Sequence, residues 1–445
     1  MLTRREKVAY GLGDTASNII FQTVMLFLAF FYTDVFGIPA AAVGTMFLLV
    51  RLLDAVTDPL MGLITDRTRS RHGQFRPYLL WMALPFAFFS VLAFTTPDFS
   101  TNGKIVYAYA TYGLLMLAYT AINIPYSALG GVLTADPLER VSVQSYRFVF
   151  GMLGGLLVTT TTLPLVEWLG AGDNVSGYQL TIAVLSALGV VLFILCFAGT
   201  KERLTARHTG NMKLTEGLAL LWHNPQWRRL SLAALLVLTG IALKNTLAIY
   251  YVKYYLLRED MVTMFVSIGM VGNILGCASA QWITRYIDKV TAYISIQVVS
   301  AIICAAAFWV PAEQFVLATA LYFFWGFFLQ MGTPMLWAKM ADVVDYGFWK
   351  FGVRATGMVY SSVIFFIKLG LALGGAIAGW WLAFYNYVPD QLQPVATQQG
   401  ILIAFALLPA LASLLVAYVM RGYTLTQPKV QEINRVLDLN AGEQN

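Results

Sequence analysis

The residues with the most chemistry to offer sit in VRLLDAVTDPLMG, residues 50–62. Asp54 and Asp58 are four apart, which sets both carboxylates on one face of a helix. Arg51, three before Asp54, continues that stripe and balances charge. Two carboxylates and one guanidinium leave a single net negative charge. A hard monovalent cation such as Na⁺ prefers oxygen ligands, and a carboxylate pair can equally share a proton. Thr57 and Thr120 offer neutral oxygens to the same ion. The alternative is a structural ion pair between Arg51 and the aspartates, but it leaves one carboxylate uncompensated where burial is costly.

A second set suits a polyhydroxylated ligand. Asn18, Tyr119, Asn123 and Tyr126 carry amide and hydroxyl groups, with the last three spaced to share a helix face. Amides bind sugar hydroxyls as both donor and acceptor. Aromatic rings such as Trp337 stack on the apolar faces of pyranoses. Lys244 and Lys368 fall deep in apolar runs, too far in to snorkel. Lys368 either balances the Asp54/Asp58 charge in an ion-dependent way or neutralises it statically. Lys244 either favours an anionic substituent on the sugar or shares the same aspartates.

These groups need elements to hold them, and composition says what those elements are. The chain has 445 residues, of which 58% are hydrophobic and only 12% charged. A soluble domain carries roughly twice that charge. A span needs about 20 mainly apolar residues. Such runs occur at 8–36, 40–65, 76–96, 104–132, 143–168, 177–199, 229–257, 261–284, 292–310, 314–341, 354–386 and 398–420. The expected fold class is all-α: a polytopic membrane protein of 12 transmembrane helices.

The 29 Lys and Arg residues set the direction. Lys104, Lys253 and Arg258 fall in exterior loops, and Arg51, Lys244, Lys339 and Lys368 within spans. The rest lie on one side, which the positive-inside rule makes cytoplasmic, together with both termini. The predicted organisation is an N-terminal six-helix bundle at 1–199, a cytoplasmic middle loop at 200–228, a C-terminal six-helix bundle at 229–422 and a cytoplasmic tail at 423–445. The stretch LTEGLALLWHNPQWRR in the middle loop reads as an amphipathic surface helix. Two six-helix bundles around a polar inner loop match the major facilitator plan, with a substrate site near mid-membrane between the halves.

Several functions are excluded. The net charge of +6 is spread over short loops rather than gathered into a nucleic-acid face. No GxxxxGK[ST] motif is present for ATP. His72, His208 and His223 lie in inner loops, so a mid-membrane histidine relay is absent. Cys196, Cys277 and Cys304 show no metal or disulfide spacing. No nucleophile sits with a base at motif spacing, so no enzyme activity and no cofactor beyond the coupling ion are expected.

The stretches YGLGDTASN, VRLLDAVTDPLMGLITDRTRSRHGQFRPYLL, INIPYSALGG and ADVVDYGFWKFGVRATG resemble the glycoside–pentoside–hexuronide:cation symporters over essentially the whole chain. The resemblance implies that Asp54, Asp58 and Thr120 bind the cation. It also implies that Arg147 and Lys368 are functionally important, and that Thr57 replaces an asparagine. Asn18 and Asn123 stand where galactoside carriers of this family have aspartates, and Ser127 stands in place of a stacking tryptophan. The pattern is closer to the xyloside and glucuronide carriers. The resemblance thus implies symport of a glycoside, pentoside or hexuronide with Na⁺ or H⁺ across a bacterial inner membrane, by a monomer among membrane lipids. A carrier of lipids or other amphiphiles is the alternative; it would need an apolar, laterally open cavity.

Two polar segments complete the reading. Asp66, Arg67, Arg69, Arg71 and Arg76 follow the second span. Asp342, Asp345, Lys350 and Arg354 precede the eleventh. Both fall on the inner face, where their opposite charges are expected to pair as a cytoplasmic gate.

Overall fold

The computed structural model describes residues 2–204, 214–388 and 391–442; within these, the side chains at 34, 40, 41, 48, 51, 52, 55, 214 and 438–442 lie outside the description. Arg51 is therefore placed by its backbone alone, and His208 is outside the described residues. The described chain is helical, with no strand among the described residues. In order the helices are α1 (Arg4–Thr23), α2 (Ala40–Arg67), α3 (Pro77–Trp81), α4 (Ala83–Ala93), α5 (Thr101–Val132), α6 (Pro137–Gly170), α7 (Asn174–Gly199), α8 (Leu214–His223), α9 (Pro225–Tyr250), α10 (Val262–Ile283), α11 (Lys289–Ala306), α12 (Phe315–Phe351), α13 (Thr356–Phe384), α14 (Val395–Met420) and α15 (Gln427–Gly442).

Among the described residues, nine runs have the length and hydropathy to cross a membrane. The run 4–35, α2, and α3 with α4 bring the spanning runs among the described residues to twelve. Of these three, the last, Pro77–Ala93, is shorter than the other spans and is interrupted at Met82.

Caps set many boundaries. Ser100, Asp173, Asn224 and Asp288 each accept backbone N–H bonds at the first turn of α5, α7, α9 and α11. Such side chains satisfy donors that a helix start leaves open. The loop predicted over 342–354 is largely helix instead. The apolar pair Val343 and Val344 is buried, and α12 runs on to Phe351 before Gly352, at φ 72°, turns it off. Asp342 and Asp345 thus sit on a helix and not in a loop. The tail carries a helix of its own, α15, because Val430 and Ile433 present an apolar face that is fully buried.

The chain forms two compact units. Unit 1 comprises Met1–Ala135, Tyr146–Gly217 and Val353–Ser361. Within it α1 and α4 pack on α7, and α2 and α4 on α5. Unit 2 comprises Asp136–Ser145, Leu218–Gly352 and Ser362–Asn445. Its main packings are α10 on α12, α9 on α14, and α11 on α12 and α14. Gly269, Gly272 and Gly276 line the α10 face against α12, where a Cβ at 276 would come within 1.9 Å of the Phe327 carbonyl oxygen. Small residues of this kind let membrane helices approach at backbone distance.

A repeat emerges at the ends of α1 and α9. Each continues into a wide π turn, at Phe31–Val35 and Tyr251–Tyr255. Phe36 N–H donates to Phe31 O at 2.8 Å and Ile38 N–H to Tyr32 O at 2.8 Å. The counterparts, Leu256 N–H to Tyr251 O and Arg258 N–H to Val252 O, are both 3.0 Å. The left-handed residue between them is Gly37, φ 76°, in one copy and Leu257, φ 55°, in the other.

Candidate functional site

The helix α2 has two faces. Leu49, Leu53, Val56, Leu60 and Ile64 are exposed, an apolar stripe fit for lipid. Val50, Asp54, Asp58, Met61 and Thr65 form the buried stripe. The two carboxylates therefore face the protein interior, at 3% and 0% exposure. Ionisable groups at this depth are costly and face partners rather than lipid. Thr120, on α5, donates from Oγ1 to Asp58 Oδ1 at 3.0 Å. Thr57 turns back on its own helix, donating to the Leu53 carbonyl at 3.1 Å. Pro59 follows Asp58 directly and, having no N–H, loosens the helix ladder there.

A second polar cluster in unit 1 joins α1, α5 and α6. Arg147 Nε donates to Asp14 Oδ1 at 2.8 Å, and Arg147 Nη2 to Ser127 Oγ at 3.1 Å. The guanidinium lies 4.9 Å from the ring centre of Tyr126 and 5.3 Å from that of Phe148. Tyr126 is itself fixed: its hydroxyl donates to the Tyr10 carbonyl at 2.7 Å, and the two rings stack at 4.8 Å. Asn18 Nδ2 donates to the Asp14 carbonyl at 2.9 Å and lies 3.3 Å from Asp14 Oδ2. Asn18, Tyr126 and Arg147 thus come together, with Asn123 buried on the same α5 face as Tyr126. Tyr119 stacks on Phe21 at 5.1 Å and tilts on Phe86. Asp14, which is not among the site residues expected from the sequence, is the centre of this cluster. Its signal was the i, i+4 spacing to Asn18.

Unit 2 holds Lys244, Trp337 and Lys368. Trp337 is buried and Lys368 half-buried. Lys244, 1% exposed, is engaged inside the unit. Its Nζ donates to the Phe405 carbonyl at 3.0 Å and to Cys304 Sγ at 3.2 Å, and lies 3.6 Å from the ring centre of Phe405. Phe405 is four residues before Pro409 in α14. Proline cannot supply the N–H that would close this turn, so the Phe405 carbonyl has lost its helical donor. The ammonium replaces it. No carboxylate lies within ion-pair distance of Lys244 among the described residues.

The segments expected to form a gate are anchored in several ways. In unit 1, Asp66 accepts from Gly357 N at 2.7 Å and Met358 N at 2.9 Å, so a carboxylate caps the start of α13. Arg76 Nη2 donates to the Phe197 carbonyl at 2.7 Å, with its guanidinium over the Phe197 ring. Glu202 accepts from the backbone N–H groups of Gln74, Phe75 and Arg76, each at 2.8 Å. Arg67 is exposed at the end of α2, and Arg354 is buried just before α13. In unit 2, Arg140 Nη1 donates to Asp342 Oδ1 at 2.9 Å and Arg140 Nη2 to Asp345 Oδ2 at 2.6 Å. Lys289 also pairs with Asp342. Arg140 and Lys289 count in the sequence as orientation charges only, yet both are buried and bind the α12 carboxylates.

Comparison with known proteins bears on the whole arrangement. The family described as MFS/sugar transport protein matches residues 9–427. The chain is 44% identical to the inner membrane symporter YicJ of Escherichia coli K12, over 97% of this chain and 94% of that one. It is 43% identical to the putative glycoside/cation symporter YagG of the same organism, over 98% and 95%. An isoprimeverose transporter of Lactiplantibacillus pentosus is 34% identical over 92% and 86%. Among solved structures, a bacterial homologue of the iron transporter ferroportin in an outward-facing state superposes with a TM-score of 0.70 at 14% identity, over 95% of this chain and 99% of that one, and so shares the fold. Twelve spans, the major facilitator architecture and an end-to-end family match agree: the chain belongs to the MFS/sugar transport protein family, as a membrane transporter of the glycoside–pentoside–hexuronide:cation symporter type and not an enzyme.

Proposed function

We propose that this chain couples the entry of one cation, Na⁺ or H⁺, to the uptake of a glycoside, pentoside or hexuronide by alternating access. The observation that carries this reading is the carboxylate pair Asp54 and Asp58 on the buried stripe of α2, opposite the apolar stripe, with Thr120 bonded to Asp58. Ionisable groups buried inside a membrane helix commonly mark ion and proton pathways. The cation binds to Asp54, Asp58 and Thr120, with Thr57 as a further neutral oxygen, and Arg51 balances the charge. The candidate sugar ligands are Asn18, Asn123, Tyr119, Tyr126 and Arg147 within unit 1, and Trp337 and Lys368 within unit 2. Lys244 keeps the role its contacts describe, that of a tie within unit 2.

The candidate cytoplasmic gate residues, each taken within its own unit, are Asp66, Arg67, Arg76 and Arg354 in unit 1, and Asp342 and Asp345, held by Arg140, in unit 2. The protein resides in a bacterial inner membrane as a monomer with both termini cytoplasmic, an orientation that its Lys and Arg distribution supports. The test is uptake of a panel of labelled glycosides into energised vesicles, with and without Na⁺. Asp58→Asn should abolish accumulation against a gradient while retaining sugar counterflow. Accumulation by that variant at the native level would remove the coupling site from α2.

A further inference from the structure

We propose that Asp14 is the positioning and charge-setting residue of the sugar site in unit 1: it holds Arg147 by its Nε edge and cancels its charge. The cluster of Asp14, Asn18, Ser127 and Arg147 then recognises the hydroxyls of an uncharged glycoside rather than the carboxylate of a uronide. This rests on the reading of Asn18 and Arg147 as sugar ligands given above.

The geometry behind it is specific. A guanidinium has a side edge, containing Nε, and a far edge formed by the two Nη groups. Asp14 Oδ1 takes Nε at 2.8 Å, and Ser127 Oγ takes Nη2 at 3.1 Å. The rings of Tyr126 and Phe148 restrict the guanidinium plane. Three kinds of contact thus fix one side chain, and Tyr126 is in turn locked by Tyr10. Asn18 directs its amide nitrogen to Asp14, and in the proposed site its carbonyl oxygen is the acceptor for a ligand hydroxyl.

The surroundings of the carboxylate are equally constrained. A Cβ at residue 151 would lie 2.2 Å from Asp14 Oδ2 and 3.0 Å from Asn18 Nδ2. Gly151 lies four residues after Arg147 on α6. One helix therefore supplies both the guanidinium that Asp14 holds and the bare backbone against which its other oxygen rests. Asp14 is 5% exposed and Arg147 3%. At that burial an unpaired guanidinium is a strong carboxylate clamp. A paired one presents no net charge and loses that preference.

A purely structural tie between α1 and α6 is the competing account, and transport kinetics separate the two. Purified full-length protein in proteoliposomes is given a cation gradient and a labelled neutral alkyl glycoside, with the corresponding glucuronide as competitor. The expected wild-type result is uptake of the neutral sugar with weak inhibition by the glucuronide. Asp14→Asn should raise KM for the neutral sugar by about tenfold and strengthen glucuronide inhibition by about tenfold, the scale of one charged hydrogen bond. Vmax should stay within about twofold. Gly151→Ala should reproduce the pattern, because it displaces the same carboxylate from the other side. If Asp14→Asn yields no folded protein, Gly151→Ala and Asp14→Glu carry the test. Native KM and native competition in these variants, or wild-type transport of the glucuronide as readily as the neutral sugar, overturns the proposal and leaves symport standing. Wild-type vesicles that accumulate neither sugar overturn the symport reading and this one with it.

Discussion

Replacing Lys244 and Pro409, singly and together, gives a quantitative test of why a lone ammonium is buried in unit 2. Its Nζ sits 3.0 Å from the Phe405 carbonyl, the group that Pro409 deprives of a partner. A hydrogen bond from a charged donor contributes about 1.5–3 kcal/mol in soluble proteins, and polar bonds between membrane helices average about 0.6 with a maximum near 1.7. The Phe405 ring at 3.6 Å adds about 0.5–2 kcal/mol of cation–π attraction. Against this stands the desolvation of an ammonium without a carboxylate, several kcal/mol for an ion. The net effect of Lys244→Met alone therefore mixes opposing terms. The coupling with Pro409→Ala does not, since that substitution returns a helical N–H to the Phe405 carbonyl, which then competes with Lys244 for that oxygen. The interaction energy of the cycle should be about 1.5 kcal/mol, read from thermal or denaturant unfolding of the detergent-purified variants. Strictly additive effects would refute the tie. A raised KM for anionic sugars in Lys244→Met, undiminished in the Pro409→Ala background, would instead return Lys244 to the ligand site.

Further outcomes follow from other contacts. Arg140→Ala should destabilise the protein by about 3–5 kcal/mol, as expected when one member of a buried ion network is removed; a change under about 1 kcal/mol in chemical unfolding would contradict the geometry. Asp345→Asn should be milder, because Arg140 keeps Asp342; it should slow transport with sugar affinity largely intact, and unchanged uptake would remove the gate. Asp66→Asn should cost about 1–2 kcal/mol through loss of a charged cap on α13, seen as faster hydrogen exchange at Gly357 and Met358. Leu257→Gly should stabilise the turn after α9 by about 1 kcal/mol, since a left-handed φ strains a side chain that Gly37 lacks in the sister copy. A lower melting temperature for that variant would argue against the repeat as the source of the strain.

Much of this fold was legible because lipid leaves few solutions. Apolar run length and loop charge asymmetry sufficed for twelve spans, and the Asp54/Asp58 spacing sufficed to pick the buried face of α2. Side-chain partners across helices were not legible. Arg140 and Lys289 read as loop charges because both stand near predicted span ends, where orientation charges also stand. Only the extension of α12 to Phe351 brings Asp342 and Asp345 into their reach. Asp14 is not legible because sequence gives only position along a span, whereas burial depends on which neighbour faces it. Lys244 had the opposite problem: its depth was evident, but its acceptor is a main-chain oxygen that a proline 165 residues away in the chain leaves open.

The contacts of Glu202 also bear on biosynthesis. This carboxylate closes the turn at Gln74, Phe75 and Arg76 from 126 to 128 residues further along the chain. While the ribosome is still making the intervening four spans, that hairpin has three donors facing water. At bacterial elongation rates the wait is on the order of ten seconds. The first half of the protein can finish this turn only once the sixth span has been made and its trailing residues have emerged. A split version expressed as two polypeptides should therefore be cut after Leu204, because a break upstream of Glu202 would strand the hairpin from its cap.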